Sequence, residues 1–282
     1  EVNKLAKEGR FDYLLIESTG ISEPMPVAAT FSFVDEEGNS LGEVAEVDTM
    51  ATVVDGEKFL EDYTSLDSLQ ERDAALGEDD ERNLSDLLIE QIEFANVLVL
   101  NKTDRMSMEQ VGTLRGILHK LNPEARIIET QFGKVQPQEI LHTRLFDEEK
   151  ASRMAGWLKE IQGIHTPETE EYGISSFVYR ARRPFHPHRL WETLEAGWDG
   201  VLRAKGFVWL ATKHNIIGVY SQAGNCVSLE PSRPWYAALE KEEWPEDEAS
   251  LRTIRSLWQE PFGDRMQEMV FIGQNLDRTG IE

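Results

Sequence analysis

The sequence predicts two domains: an α/β domain on a mostly parallel sheet over residues 1–150, and a smaller α+β domain over residues 172–282. A polar connector at 151–171 joins them. Three observations carry this reading. The apolar run Val97-Leu98-Val99-Leu100 delivers Asn101-Lys102-Thr103-Asp104 at its end. A second apolar run, Phe11-Asp12-Tyr13-Leu14-Leu15-Ile16, delivers Glu17-Ser18-Thr19-Gly20. From about residue 172 the pattern changes to short strands in close succession. Continuous apolar runs of four to eight residues fit strands buried on both faces. Ligands of such sheets sit beyond the carboxyl ends of the strands.

In chain order, residues 1–6 read as a helix leading into a fully buried strand at 12–17, and residues 48–54 as another buried strand. Leu84, Leu87, Leu88, Ile92 and Ala95 mark one face of a helix before the strand at 96–101. Ser107 and Gln110 form a capping box, and Val111, Leu114, Leu118 and Leu121 then repeat at helical spacing. Residues 125–130 read as the last strand of this domain, and the loop from Thr130 is expected to complete the guanine pocket. In the second domain, 174–182 alternates with Phe177, Tyr179 and Ala181 on one face, and 187–197 is a short helix carrying Leu190, Trp191 and Leu194. Strands near 201–212, 216–222, 225–230 and 267–273, with a helix around 247–258, make one sheet with helices on one face.

Asn-Lys-x-Asp at the end of a buried strand is a guanine-reading device. The Asp104 carboxylate can accept both hydrogen bonds that guanine offers from N1–H and its 2-amino group, a donor pair adenine lacks. The Lys102 stem can lie over the flat base with its charge in water, while the Asn101 amide ties neighbouring loops and reaches the base edge. A site built around such a pair rejects the wrong base by leaving its polar groups unpaired. Glu17, at the tip of its apolar run, is placed as P-loop NTPases place the acid that holds Mg²⁺ through water. Gly20, three residues on, lets the backbone approach a γ-phosphate and offer an N–H.

The strings LLIESTGISEP, DERNLSDLLIEQIEFANVLVLNKTD, RRPFHPHRLW, VLRAKGFVWLAT and FGDRMQEMVFIGQ resemble the CobW-type GTPases, the metallochaperone branch related to UreG and HypB. The resemblance runs over nearly the whole chain and is strongest to YciC-like zinc-associated members. It implies a P-loop GTPase-like domain followed by a CobW carboxyl-terminal domain. It further implies GTP or GDP and Mg²⁺ as ligands, and zinc handed to a client metalloprotein. On it, residues 21–24 act with Gly20 as the switch that senses the γ-phosphate. Two family elements, G-x-x-x-x-G-K-[ST] and C-x-C-C, are absent from these 282 residues. The sequence therefore reads as a truncated domain, holding the base-recognising half of a nucleotide site without its phosphate cradle or transition-metal ligands. By itself it is not expected to hydrolyse GTP. Two other readings remain: a non-hydrolysing interaction module with a vestigial guanine site, and the same switch serving cobalt or iron.

Composition excludes some classes. With 52 acidic against 29 basic residues and a formal charge of −23, the chain is no nucleic-acid binder. No apolar stretch reaches the ~20 residues that span a bilayer, and the lone Cys226 rules out an internal disulfide and fits a reducing cytoplasm. Oligomeric state is not legible. The pair His186 and His188 has no third ligand nearby and reads as a structural turn, and His119, His142, His165 and His214 read as surface residues. Cys226 reads as a packed small hydrophobe, and the acidic cluster 78–81 as a solvated loop. Trp191, Trp209, Trp235 and Trp258 read as core, and Arg180, Arg182 and Arg183 as a basic patch for docking or local charge balance.

Overall fold

The computed structural model describes residues 2–18, 20, 22–32, 40–71, 83–147 and 173–282. They belong to two units, Glu1–Gly156 and Trp157–Glu282. The acidic cluster 78–81, the connector 151–171 and His165 lie outside the described residues, as do Thr19 and Ile21.

The first unit is organised by one strand. β2 (Val97–Asn101) lies between β1 (Ala51–Asp55) and β3 (Arg126–Glu129), with both pairings parallel. Its residues Val97 to Leu100 are all buried. A strand with ladder partners on both sides has every backbone polar group paired, so its side chains are free to be apolar throughout. α4 (Leu84–Glu93) packs through Leu87, Ile89 and Ile92, and α5 (Met108–Leu121) through Leu114, Ile117, Leu118 and Leu121. The capping box at Ser107 forms as the sequence predicts. Gln110 N–H donates to Ser107 Oγ at 3.1 Å and Ser107 N–H to Gln110 Oε1 at 2.8 Å. Buried Asn122 fastens the two helix ends together. Its amide nitrogen donates to the carbonyls of Ile92, Glu93 and Ala95, and its oxygen accepts from Glu124 and Ala125 N–H. α1 (Val2–Glu8), α2 (Pro24–Ser32) and α3 (Phe59–Thr64) are the other α-helices among the described residues of this unit.

The strand predicted at 12–17 is not there. Residues 13–18 carry no regular structure, and Leu15 is 73% exposed, with Phe11, Leu14 and Ile16 also exposed. Among the described residues the sheet ends at β1 and β3, so this run has no ladder neighbour. Without one, its backbone groups cannot be paired inside a core and the segment stays solvated. Its side-chain anchor is Tyr13, whose hydroxyl donates to Asp48 Oδ2 at 2.9 Å.

The second unit is a five-stranded antiparallel sheet. β4 (Ile174–Ala181), β5 (Val201–Val208), β6 (Ile216–Ala223), β7 (Cys226–Pro234) and β8 (Gln267–Gln274) stand in the order β4-β8-β5-β6-β7. β8, the last strand in sequence, is paired on both sides and buried from Gln267 to Gly273. α6 (Pro187–Ala196) seats Leu190 and Leu194 on a core of Phe177, Val201, Ala204, Val208, Tyr220, Met269 and Phe271. A second cluster joins Trp209, Ile217, Trp235 and Met266. α7 (Glu248–Leu257) buries Ile254, and α8 (Arg278–Ile281) ends the chain.

One expectation for this unit is overturned. Trp191 is 63% exposed, not core, because neighbouring positions on a helix do not share a face and Leu190 with Leu194 already takes the inward one. Of the three arginines, Arg180 and Arg182 follow the local-balance alternative of the sequence reading. Arg180 pairs with Glu268 at 2.7 Å, and Arg182 donates to the carbonyls of Leu257, Gly263 and Arg265. Both are spent on fastening the chain to itself. Cys226 is buried in β7 as expected. His188 Nδ1 lies 3.4 Å from Glu192 Oε2, one turn along α6.

Candidate base-reading site

The carboxyl end of β2 is held from two sides. On one side is the turn that follows β1. The register sets Asp55 opposite Asn101, and Gly56 N–H donates to the Asn101 carbonyl at 3.1 Å. A side chain at position 56 would stand 2.5 Å from Met106 Sδ and 2.8 Å from the Asn101 oxygen, so only glycine allows this approach. Asp55 also reaches Lys102, whose ammonium pairs with its Oδ2 at 2.5 Å. Glu57 pairs with Arg105 at 2.9 Å. Three consecutive residues therefore clasp the loop at its first, second and fifth positions. Burial acts to raise the Asp55 pKa, but the hydrogen bond and charge of Lys102 outweigh it and hold the carboxyl below its ordinary range.

The other side is the turn after β3. Thr130 N–H donates to the Leu100 carbonyl at 2.9 Å, and the Thr130 carbonyl accepts from both Thr103 N–H and Thr103 Oγ1. Gly133, at φ +65°, donates its N–H to Asn101 Oδ1 at 3.0 Å. Thr130 Oγ1 donates back to the Lys134 carbonyl at 2.9 Å and closes the turn.

Between these clasps Lys102 sits in the left-handed region at φ +61°. A lysine pays for that conformation with strain, which persists only where the surroundings over-determine it. Here the Asp55 pair and the backbone bonds of Asn101 and Thr103 do so. The lysine head is thus anchored on Asp55, which fixes the direction of its four-carbon stem. Asp104 is different. It is exposed, and among the described residues its carboxylate accepts no hydrogen bond, so both oxygens remain available to a ligand's donors. The arrangement presents a fixed apolar stem and a free two-oxygen acceptor side by side.

Of the five residues singled out from the sequence, the structure brings Asn101, Lys102 and Asp104 together on one loop. Glu17 and Gly20 are not joined to them by any contact among the described residues. Glu17 is exposed, with no hydrogen bond to its carboxylate. The Gly20 carbonyl accepts from Gln91 Nε2 at 3.0 Å, as does that of Ser22 at 3.2 Å, which ties this stretch to α4. Sequence reading missed Asp55, Gly56, Glu57 and Gly133. The Asp-Gly pair directly after an apolar run marks a tight strand-end turn, but only the register shows that it faces Asn101. No cluster of three or more His, Cys, Asp or Glu side chains suited to a metal occurs among the described residues.

Residues 1–129 match the family model of the CobW/HypB/UreG nucleotide-binding domain, and residues 174–282 match that of the cobalamin synthesis protein cobW C-terminal domain. A zinc-regulated GTPase metalloprotein activator 1 from Dictyostelium discoideum is 49% identical over 279 residues, covering 98% of this chain and 58% of the relative. A zinc chaperone of Mycobacterium tuberculosis is 28% identical over 222 residues, covering 77% of this chain and 53% of the relative. The chain thus spans little more than half the length of these relatives. Among solved structures, the Zn(II)-bound YjiA GTPase of E. coli aligns over 99% of this chain and 72% of its own, at 21% identity and a TM-score of 0.38.

Proposed function

The chain belongs to the CobW family, and we propose that it is the base-reading and carboxyl-terminal part of a GTP-binding, GTP-hydrolysing metallochaperone that hands zinc to a client metalloprotein. The observation that carries the nucleotide half is the doubly clasped loop. Asp104 offers two free oxygens where guanine presents two N–H donors, beside a lysine stem that Asp55 pins in place. Asn101 has its Oδ1 engaged by Gly133, so its role is to hold the two walls of the pocket at a fixed spacing. Guanine is favoured over adenine because adenine would leave the carboxylate facing no donor pair.

Glu17 suits a hard cation: a free, exposed carboxylate that supplies one oxygen while water and nucleotide phosphate supply the rest. Bound there, Mg²⁺ would offset charge developing on the phosphates. Gly20 would offer its backbone to the γ-phosphate, and its tether to Gln91 gives that event a route to α4. Zinc is cargo in this reading, and the names of the Dictyostelium and mycobacterial relatives support it. A reducing cytoplasm is the proposed setting. No helix among the described residues is long and apolar enough to cross a membrane.

The test is competition for the nucleotide site of the full-length protein by GDP, inosine diphosphate and ADP. Inosine lacks the 2-amino group and should bind about tenfold more weakly than GDP, since one hydrogen bond to a charged acceptor is lost. ADP should be weaker again. Equal affinity for the three would rule out base reading at this site.

A further inference from the structure

We propose that Phe132 is the aromatic platform on which the nucleotide's base stacks, complementing the apolar stem of Lys102. This rests on the base-reading function above and adds to it a residue that the Asn-Lys-x-Asp motif does not contain. Phe132 is 77% exposed, so it contributes nothing to the core of its unit. Its backbone lies at φ +53°, followed by Gly133 at φ +65°. A bulky residue with positive φ is a conformational outlier, and such outliers persist where the surroundings impose them, most often at ligand sites.

Here the surroundings are the base-reading loop itself. The residue after Phe132 donates its N–H to Asn101 Oδ1 at 3.0 Å, and the carbonyl two residues before it accepts from Thr103. The turn is closed by Thr130 Oγ1 to the Lys134 carbonyl, and Lys134 Nζ stands 5.9 Å from the ring centroid. A flat apolar ring is therefore carried, against both solvation and backbone preference, within one residue of a hydrogen bond to the motif. The ligand chemistry that matches is the π-face of a nucleobase. Stacking tolerates any base, so Phe132 supplies affinity, whereas Asp104 supplies selectivity.

That division fixes the experiment: titration of the full-length protein and its Phe132→Ala and Phe132→Trp variants with GDP and with inosine diphosphate. Phe132→Ala should weaken both nucleotides about tenfold and leave their affinity ratio unchanged. Phe132→Trp should restore affinity and show indole fluorescence quenched on binding. A loss in Phe132→Ala accompanied by a collapsed ratio would mean that the residue only shapes the turn, and would overturn the stacking role. Unchanged GDP affinity in Phe132→Ala, with the wild type preferring guanine, would overturn it while leaving base reading intact. A wild type without guanine preference would overturn base reading, and with Phe132→Ala binding as tightly as wild type it would overturn the stacking role as well.

Discussion

Residues 11–18 and 97–104 are built alike in sequence: an apolar run that hands an acidic or amide residue to a Gly- or Lys-bearing loop. In the structure they differ completely. Val97 to Leu100 are buried, paired on both sides, and deliver a loop fixed by two turns. Leu14 to Ile16 are exposed and unladdered, held through Tyr13. An apolar run thus favours burial but does not by itself supply a neighbour. A strand exists where another backbone answers its hydrogen bonds, and the loop that follows inherits whatever rigidity that pairing provides.

Truncation of equivalent leucines in the two runs should give the largest effect. In the 282-residue chain, Leu100→Ala should cost about 2–5 kcal/mol of stability, because it opens a cavity in a fully buried strand. Leu15→Ala should stay within about 0.5 kcal/mol, as substitutions at exposed sites do. Urea denaturation of the two variants measures the contrast, and equal losses would show that residues 11–16 are packed after all.

A smaller effect should come from Asp48, the acceptor that holds Tyr13. Burial acts to raise its pKa, but hydrogen bonds from Thr49, Arg144, Tyr13 and Thr143 outweigh this and lower it from 3.8 to about 2. A folded-state pKa below the unfolded one contributes stability that is complete above about pH 4 and is lost as pH falls toward 2. Asp48→Asn should cost about 1–2 kcal/mol near pH 6, discounted from the full value of charged hydrogen bonds because Asp48 is only half-buried. The wild-type and variant stability curves should converge as pH approaches 2. Parallel curves down to that pH would show that Asp48 does not carry the latch.

Much of this was legible in the sequence, for a physical reason. The helix starting after Ser107 announces itself because a capping box is local chemistry, readable from residues three apart. The strand at 97–101 and the sheet of the second domain follow from period and composition. The motif residues Asn101, Lys102 and Asp104 fall on one loop because they are adjacent in sequence. What was not legible is non-local. The Asp55 pair with Lys102 and the Gly133 bond to Asn101 join residues 47 and 32 positions apart, and depend on which strands become neighbours. Trp191 failed for a subtler cause: amphipathic spacing locates a stripe, and one residue off that stripe is surface however apolar it is.

The role proposed for Asp104 in reading the base is decided by the affinity of the full-length wild type and its Asp104→Asn variant for GDP and xanthosine diphosphate. An asparagine replaces one acceptor oxygen with an NH₂ donor, which matches the 2-oxo group of xanthine and opposes the 2-amino group of guanine. If Asp104 reads the base, GDP binding falls on the order of tenfold to a hundredfold while xanthosine diphosphate gains by a similar factor. Parallel loss of both nucleotides, or no change in either, would contradict it.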